Sequence, residues 1–184
     1  ACCGSTHPAI QAAIDLVHQD GVRADDIDHV RIRVHPQRFR HTNTLAPESV
    51  LEAKFSVQYA VARALLDGAV TLKDFEGEAF RAPEITSLLA RIQAETFADG
   101  EAQPWDAEVI VTDQDGSTHL RRIDNMVGRS GDNAMSDQEL YAKFADCWAR
   151  ALPQTSATEQ AFAQMMALES VADIRRLTAL FAAT

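Results

Sequence analysis

The stretch "DAEVIVTDQDGSTHLRRID", residues 106–124, constrains the fold most. Two alternating runs flank Asp115-Gly116, the dipeptide best suited to a tight antiparallel turn, so this is a β-hairpin. A second alternation, "IDHVRIRVHP", sets Val30, Ile32 and Val34 against His29, Arg31 and Arg33, the period of a half-buried strand. Between the two lie helical patterns. The order predicts an α+β fold, a small, mostly antiparallel sheet covered by helices, and not an alternating doubly wound one.

The helical patterns have clear ends. "STHPAIQAAIDLVHQDG" spaces Ile10, Ala13, Ile14 and Val17 along one face, with Pro8 in the first turn and Gly21 beyond the last. After the loop "QRFRHTNTLAP", one long helix is expected from about Pro47 to Leu66, stopped by Asp67-Gly68. "TLKDF" and "PEITSLLARIQAETF" read as a short and a medium helix. "NMVGRSGDNAMSD", including "GRSGD", reads as a polar loop. Ser136 and Glu139 then form a capping box for a helix ending at Pro153, with one or two more helices from Ala157 to Ala183. The expected division is an α+β domain over 1–135 and a helical segment over 136–184.

Composition removes several functions. With 46% apolar and 24% charged residues the chain is globular. A net charge of −10 argues against nucleic acid as a partner, since phosphate binding requires a basic face. No apolar run reaches the length of a membrane span, so no membrane partner is expected, and the chain reads as cytoplasmic. Three cysteines give neither a disulfide framework nor zinc spacing, and Cys147 falls on a helical stripe as a small buried hydrophobe. One local inversion of sign stands out. No acid occurs between Asp28 and Glu48, while Arg31, Arg33, Arg38 and Arg40 occur with His29, His35 and His41. Two readings are open: a solvated strand face running into a loop, or a cationic rim for a small polyanion.

Two stretches could carry chemistry. In the first, Pro8 places His7 at a helix cap with Ser5 and Thr6 just before it. Helix-start N–H groups and two hydroxyls favour an anion, and the dipole disfavours an imidazolium, leaving His7 able to accept a proton. A plain polar cap is the other reading. In the second, Leu51, Phe55, Tyr59, Ala62, Leu65 and Leu66 share one face of the long helix; Lys54 borders it and Ser56 lies off it. Tyr59 is either a core tyrosine with a bonded hydroxyl or a proton donor reaching a cleft. His35, His41 and Asp28 form no metal-ligand spacing, and no HExxH, phosphate-loop, GxGxxG or GxSxG motif occurs.

At these two stretches the sequence resembles the MmgE/PrpD family. "CCGSTHPAIQAAIDL" is similar to its Cys-x-x-Thr-His-x-x-x-x-Ala segment, and "LEAKFSVQYAVARALLDG" to its Glu-Ala-Lys-Phe-Ser-x-x-Tyr helix. "SDQELYAKFADCWARAL" resembles a later Glu-x-x-x-Lys-Phe helix. The family includes 2-methylcitrate dehydratase, cis-aconitate decarboxylase and iminodisuccinate epimerase. The resemblance implies a lyase or isomerase acting on small di- or tricarboxylates, with no metal and no organic cofactor. It implies a site between a large helical domain and a smaller α+β lid, with His7 and Tyr59 catalytic. Ser5, Thr6, Lys54 and Ser56 would bind substrate. "GDNAMSD" departs from the pattern in lacking a proline after Asn133.

The same resemblance implies that this chain is the C-terminal part of a longer enzyme, begun where the lid begins. Its partners would then be the upstream helical domain and further copies in a homo-oligomer, and the isolated chain would be inactive. The helices after Ser136 would lack their cover. They are expected to fold on each other, to pair with a second copy as the preferred outcome, or to be poorly ordered. The alternative from a different class is a non-catalytic α+β module that binds a small anion or a protein partner.

Overall fold

The computed structural model describes residues 1–128, 131–152 and 157–182. The chain divides into two compact units, Ala1–Asn133 and Ala134–Thr184. The first unit is the α+β part. A 3₁₀ turn, Gly4–Thr6, leads into α1 (His7–Asp20), which Gly21 ends at φ 73°, a left-handed conformation that glycine adopts without a Cβ clash. β1 (Ile27–Val34) follows, then α2 (Pro36–Thr42), α3 (Val50–Phe55), α4 (Val57–Asp67) and α5 (Pro83–Leu89). β2 (Ile92–Thr96), β3 (Ala107–Asp113) and β4 (Thr118–Ile123) complete the sheet.

The strand order is β2-β1-β3-β4, parallel between β1 and β2 and antiparallel elsewhere. Alternation places Val30, Ile32 and Val34 on the covered face, level with Val111, Val109 and Ala107 of β3 and Ile92 and Ala94 of β2. α1 lies against β3 and β4, and α4 against β2, so the two helices form the layer over this face. The other face carries Arg31 and Arg33. Arg33 meets Glu95, Glu101 and Glu108, and Arg31 meets Glu95. Opposite charges set across neighbouring strands explain why these arginines sit where they do.

Two expectations are corrected. "ARIQAETF" continues no helix: α5 ends at Leu89, and Ile92–Thr96 pairs with β1. Gln93, Ala94 and Glu95 are compatible with a helix, but Ile92 and Ala94 also alternate, and pairing with an already formed strand decides the conformation. The backbone N–H of Val30 donates to the Arg91 carbonyl at 2.9 Å, which starts that pairing.

The second correction concerns the long helix. It is broken at Ser56, whose backbone is extended (φ −89°, ψ 113°), so Ser56 ends α3 and begins α4. Its hydroxyl accepts from the Tyr59 N–H at 3.0 Å and donates to the Thr44 carbonyl at 2.5 Å. With the helix reset, Leu51 and Phe55 leave the Tyr59 face and are 67% and 40% exposed. α1 and α4 then run side by side in one direction. Cys3 N–H donates to the Lys54 carbonyl (2.9 Å) at one end, and the His18 ring meets the Gly68 carbonyl (2.8 Å) at the other. Gly68 ends α4 at φ 66°, and a Cβ there would lie 3.1 Å from the His18 ring.

The second unit is helical: α6 (Asp137–Ala151), α7 (Thr158–Met166), a 3₁₀ turn at Leu168–Ser170 and α8 (Ile174–Ala179). Ser136 and Glu139 form the expected capping box. Pro153, Ala183, and the Arg129-Ser130 part of "GRSGD" lie outside the described residues. Within this chain the helices fold on each other. Phe144 packs on Trp148 and Phe162, Tyr141 on Phe162, and Trp148 on Phe181, leaving Trp148 only 4% exposed. Cys147 is not buried, because its stripe is covered only in part. It is exposed and lines an apolar groove of about 350 Å³ with Leu140, Phe144, Phe162, Met165 and Met166. Among the described residues no helix is long and apolar enough to cross a membrane.

Ser56→Ala tests the break directly. It removes the cap of α4, supplied by a wholly buried side chain, and leaves the half-buried Thr44 carbonyl without this donor. The expected loss is about 1–3 kcal/mol of unfolding free energy, read from urea denaturation. An unchanged midpoint would mean that the break does not depend on this side chain.

Candidate active site

Helical geometry begins before His7. The Gly4–Thr6 turn runs into α1 without interruption, Thr6 and His7 both having helical dihedrals, and Cys3 is the last extended residue. His7 is therefore not a cap, as its place before Pro8 suggested, but lies one turn inside. The first free-standing positions are Gly4 and Ser5. A Cβ built at Gly4 would meet nothing within 4 Å, so this turn is open. Helix Cα–Cβ bonds tilt toward the N-terminus, which sets His7 over the turn that Gly4 begins.

The six candidate residues separate by burial. Thr6, Ser56 and Tyr59 are each 0% exposed. Thr6 Oγ1 donates to the Cys3 carbonyl at 2.8 Å and also meets Cys2 Sγ at 3.3 Å. Its hydroxyl closes the turn rather than facing a ligand. Burial pushes the Cys2 thiol up, against the opposing effect of Thr6, so Cys2 behaves as a packed group. Ser56 is committed to Tyr59 and Thr44, as described. The Tyr59 hydroxyl donates to the Asp74 carbonyl and accepts from Arg63 Nε at 3.2 Å, and its ring packs edge-on against Phe75. Arg63 is held in turn by the Ala79 carbonyl at 2.7 Å. Within this chain the Tyr59 hydroxyl is thus a bonded group of the core.

His7 and Lys54 are half-buried, and Ser5 is at the edge of the interior at 8% exposure. The Cys3–Lys54 bond ties the end of α3 to the turn that carries Ser5 and His7. Because α1 and α4 run in the same direction, both helix starts lie at this end. Each contributes about half a positive charge, so their fields add where an anion would bind.

Sequence reasoning counted His41 only as one of a cationic cluster. The structure disperses that cluster. Arg31 and Arg33 are neutralised on the sheet, His29 meets Asp28, and Arg38 stacks on Trp105 and donates to the Pro104 carbonyl. His35 caps α2 by accepting from Gln37 N–H. His41 alone of the cluster reaches the candidate site, with Nε2 3.0 Å from Ser5 Oγ. Its separation of 34 residues from His7 gives no periodic signal; only the return of α2 to the Gly4–Thr6 turn brings the two segments together. Lys54 and Arg40 form no ion pair among the described residues. Nor do three His, Cys, Asp or Glu side chains converge among those residues as a metal-ligand set.

The sequence matches the family model described as the MmgE/PrpD C-terminal domain over residues 1–168. It is 29% identical over 124 residues to a cis-aconitate decarboxylase of Mus musculus, covering 66% of this chain and 25% of that protein. It is 29% identical over 147 residues to a cis-aconitate decarboxylase of Homo sapiens, covering 76% of this chain and 30% of that protein. The chain thus spans less than a third of the length of these curated relatives.

Tyr59→Phe separates the structural role from a chemical one. Losing the hydroxyl strands the Asp74 carbonyl and Arg63, at an expected cost of about 1–2 kcal/mol. Burial also raises the Tyr59 phenol above its ordinary value of 10.0, with the Arg63 bond opposing. The folded state then holds this proton to higher pH than the unfolded chain does. Its contribution is complete below about pH 10 and is lost as pH rises further. Urea titrations from pH 8 to 11 should show this alkaline loss in the wild type and a shallower one in Tyr59→Phe. Equal slopes would remove Tyr59 as its source.

Proposed function

The chain belongs to the MmgE/PrpD family through its C-terminal domain, and from that premise we propose that it serves a cofactor-independent lyase or isomerase of small di- or tricarboxylates. The observation that carries this reading is the placement of His7 and Ser5 on an open helical turn, beside Lys54, where two helix starts meet. Elimination, decarboxylation and epimerisation of polycarboxylates share one requirement. A proton must move at a carbon next to a carboxylate while negative charge is held in place.

In this reading the open turn at Gly4 and Ser5 receives one substrate carboxylate, through backbone N–H groups and the Ser5 hydroxyl. Lys54 supplies a counter-charge that needs no rearrangement as the anion develops. His7, over the same turn, exchanges the proton. Thr6, Ser56 and Tyr59 hold the two helix starts in register and do not touch the substrate. An upstream helical domain supplies the opposite wall and selects among dehydration, decarboxylation and epimerisation, and the enzyme works as a homo-oligomer. Cis-aconitate is the first substrate to test, because both relatives carry that name. 2-Methylcitrate and iminodisuccinate come next.

The test is turnover by the full-length enzyme. His7→Ala is expected to lower kcat/KM by about 10²–10⁴ while the thermal midpoint stays near that of the wild type. The isolated chain should bind polycarboxylate at most weakly and turn over none, since positioning by both walls supplies much of the rate. A wild type that turns over none of the three compounds would sink the reading in favour of an anion-binding module.

A further inference from the structure

Ser5 is oriented from outside its own helix. His41, at the end of α2, sets Nε2 3.0 Å from Ser5 Oγ, and no other hydrogen bond of that hydroxyl occurs among the described residues. The ring itself is exposed, yet the segment that carries it is pinned at every following residue. Thr42 Oγ1 donates to the Arg38 carbonyl at 2.9 Å. Asn43 Oδ1 accepts from Gln58 Nε2 at 2.5 Å, and Thr44 N–H donates to Gln58 Oε1 at 3.2 Å. The Thr44 carbonyl accepts from Ser56.

These bonds close a circuit. The Ser5 turn is joined to Lys54 through Cys3, α3 leads through Ser56 to α4, α4 holds Thr44, and Thr44 leads back through His41 to Ser5. The Cys3–Lys54, Ser56–Thr44 and Gln58–Thr44 joints each involve a backbone group. His41–Ser5 is the joint between two side chains that lies toward solvent.

We propose that His41 is a positioning residue of this site, fixing the direction in which Ser5 offers its proton to a substrate carboxylate. A serine hydroxyl has one proton to give. With a proton on His41 Nε2, the ring donates to Ser5 Oγ, and the serine proton is left to point at the open turn. With Nε2 bare, Ser5 donates to the ring and shows only lone pairs to an incoming anion. Binding of a carboxylate at Ser5 therefore selects the Nε2–H form of His41, and a fixed ring prevents the serine from rotating away. The inference rests on the proposed polycarboxylate reading and adds the residue that sets the polarity of its binding hydroxyl.

The test uses full-length enzyme with cis-aconitate and 2-methylcitrate. His41→Phe keeps a ring and removes the donor; KM should rise about tenfold, in keeping with loss of an aligned bond to a charged group, with kcat within about threefold. His41→Gln, whose Nε2 can take the place of the ring nitrogen, should bring KM back to within about threefold of the wild type. Ser5→Ala should raise KM as His41→Phe does, and His41→Phe added to Ser5→Ala should change it by less than about twofold, since the two act through one contact. An unmoved KM in His41→Phe, a failure of Gln to rescue, or multiplying effects in the double variant would each overturn the inference and leave the proposed function standing. A fall in kcat that tracks a lower thermal midpoint would also overturn it, by making His41 merely structural. A wild type inactive on every polycarboxylate overturns the proposed function, and this inference with it.

Discussion

The rest of the first unit depends on the two hydrogen bonds of the Ser56 hydroxyl. Without them, residues 47–66 have the propensity and the stripe of one continuous helix. By taking the Tyr59 N–H, Ser56 supplies the first-turn partner that a new helix needs, and by donating to Thr44 it fixes where that helix starts. The break turns α3 away from α4 and sets the start of α4 beside the start of the α1 segment. It also frees Leu51 and Phe55 from the core face. A serine does what a proline or glycine more often does in such a place, because its side chain competes with the backbone for local bonds.

The consequence is electrostatic as well as geometric. Two neighbouring helices running in one direction place like ends together, a mildly unfavourable arrangement in the absence of an anion. In a chain of net charge −10 the basic side chains could easily be drawn into ion pairs, and on the sheet they are: three carboxylates surround Arg33. Around the helix starts the pattern differs. Lys54 has no carboxylate partner among the described residues, and His41 is turned to a hydroxyl. An unpaired lysine beside two helix starts is what the proposed anion site is built on.

Legibility in the sequence followed the range of the interactions. β1 and the β3–β4 hairpin were readable because alternation and Asp115-Gly116 are local signals, and the Ser136–Glu139 box is contained in four residues. β2 was not, since Ile92–Thr96 carries both periods and only pairing with β1 selects one. The helical wheel failed at Ser56 for the same reason: Thr44, twelve residues away, holds the break open. For the proposed site, the motifs marked the segments but not the exposure of each residue. Thr6 and His7 are adjacent, yet the hydroxyl closes the turn internally while the imidazole stays half-exposed over it. The His41–Ser5 contact spans 36 residues and four elements' worth of topology, and no pattern in the sequence encodes it.

A division of labour follows among the polar residues of the two motifs. Hydroxyls that are wholly buried must be satisfied by the protein itself, because an unmet partner in the interior costs as much as a lost bond. Thr6, Ser56 and Tyr59 each obey this, and each thereby becomes part of the frame. In the proposed site the substrate instead meets Ser5, His7 and Lys54, which lie nearer solvent, with His41 behind Ser5. The frame must be rigid for the reception site to be selective, so the residues farthest from solvent determine how well the nearest ones perform. The same logic distinguishes the two units. The first bonds the buried hydroxyls of its two motifs internally. The second leaves Leu140, Met165 and Met166 facing water around an apolar groove.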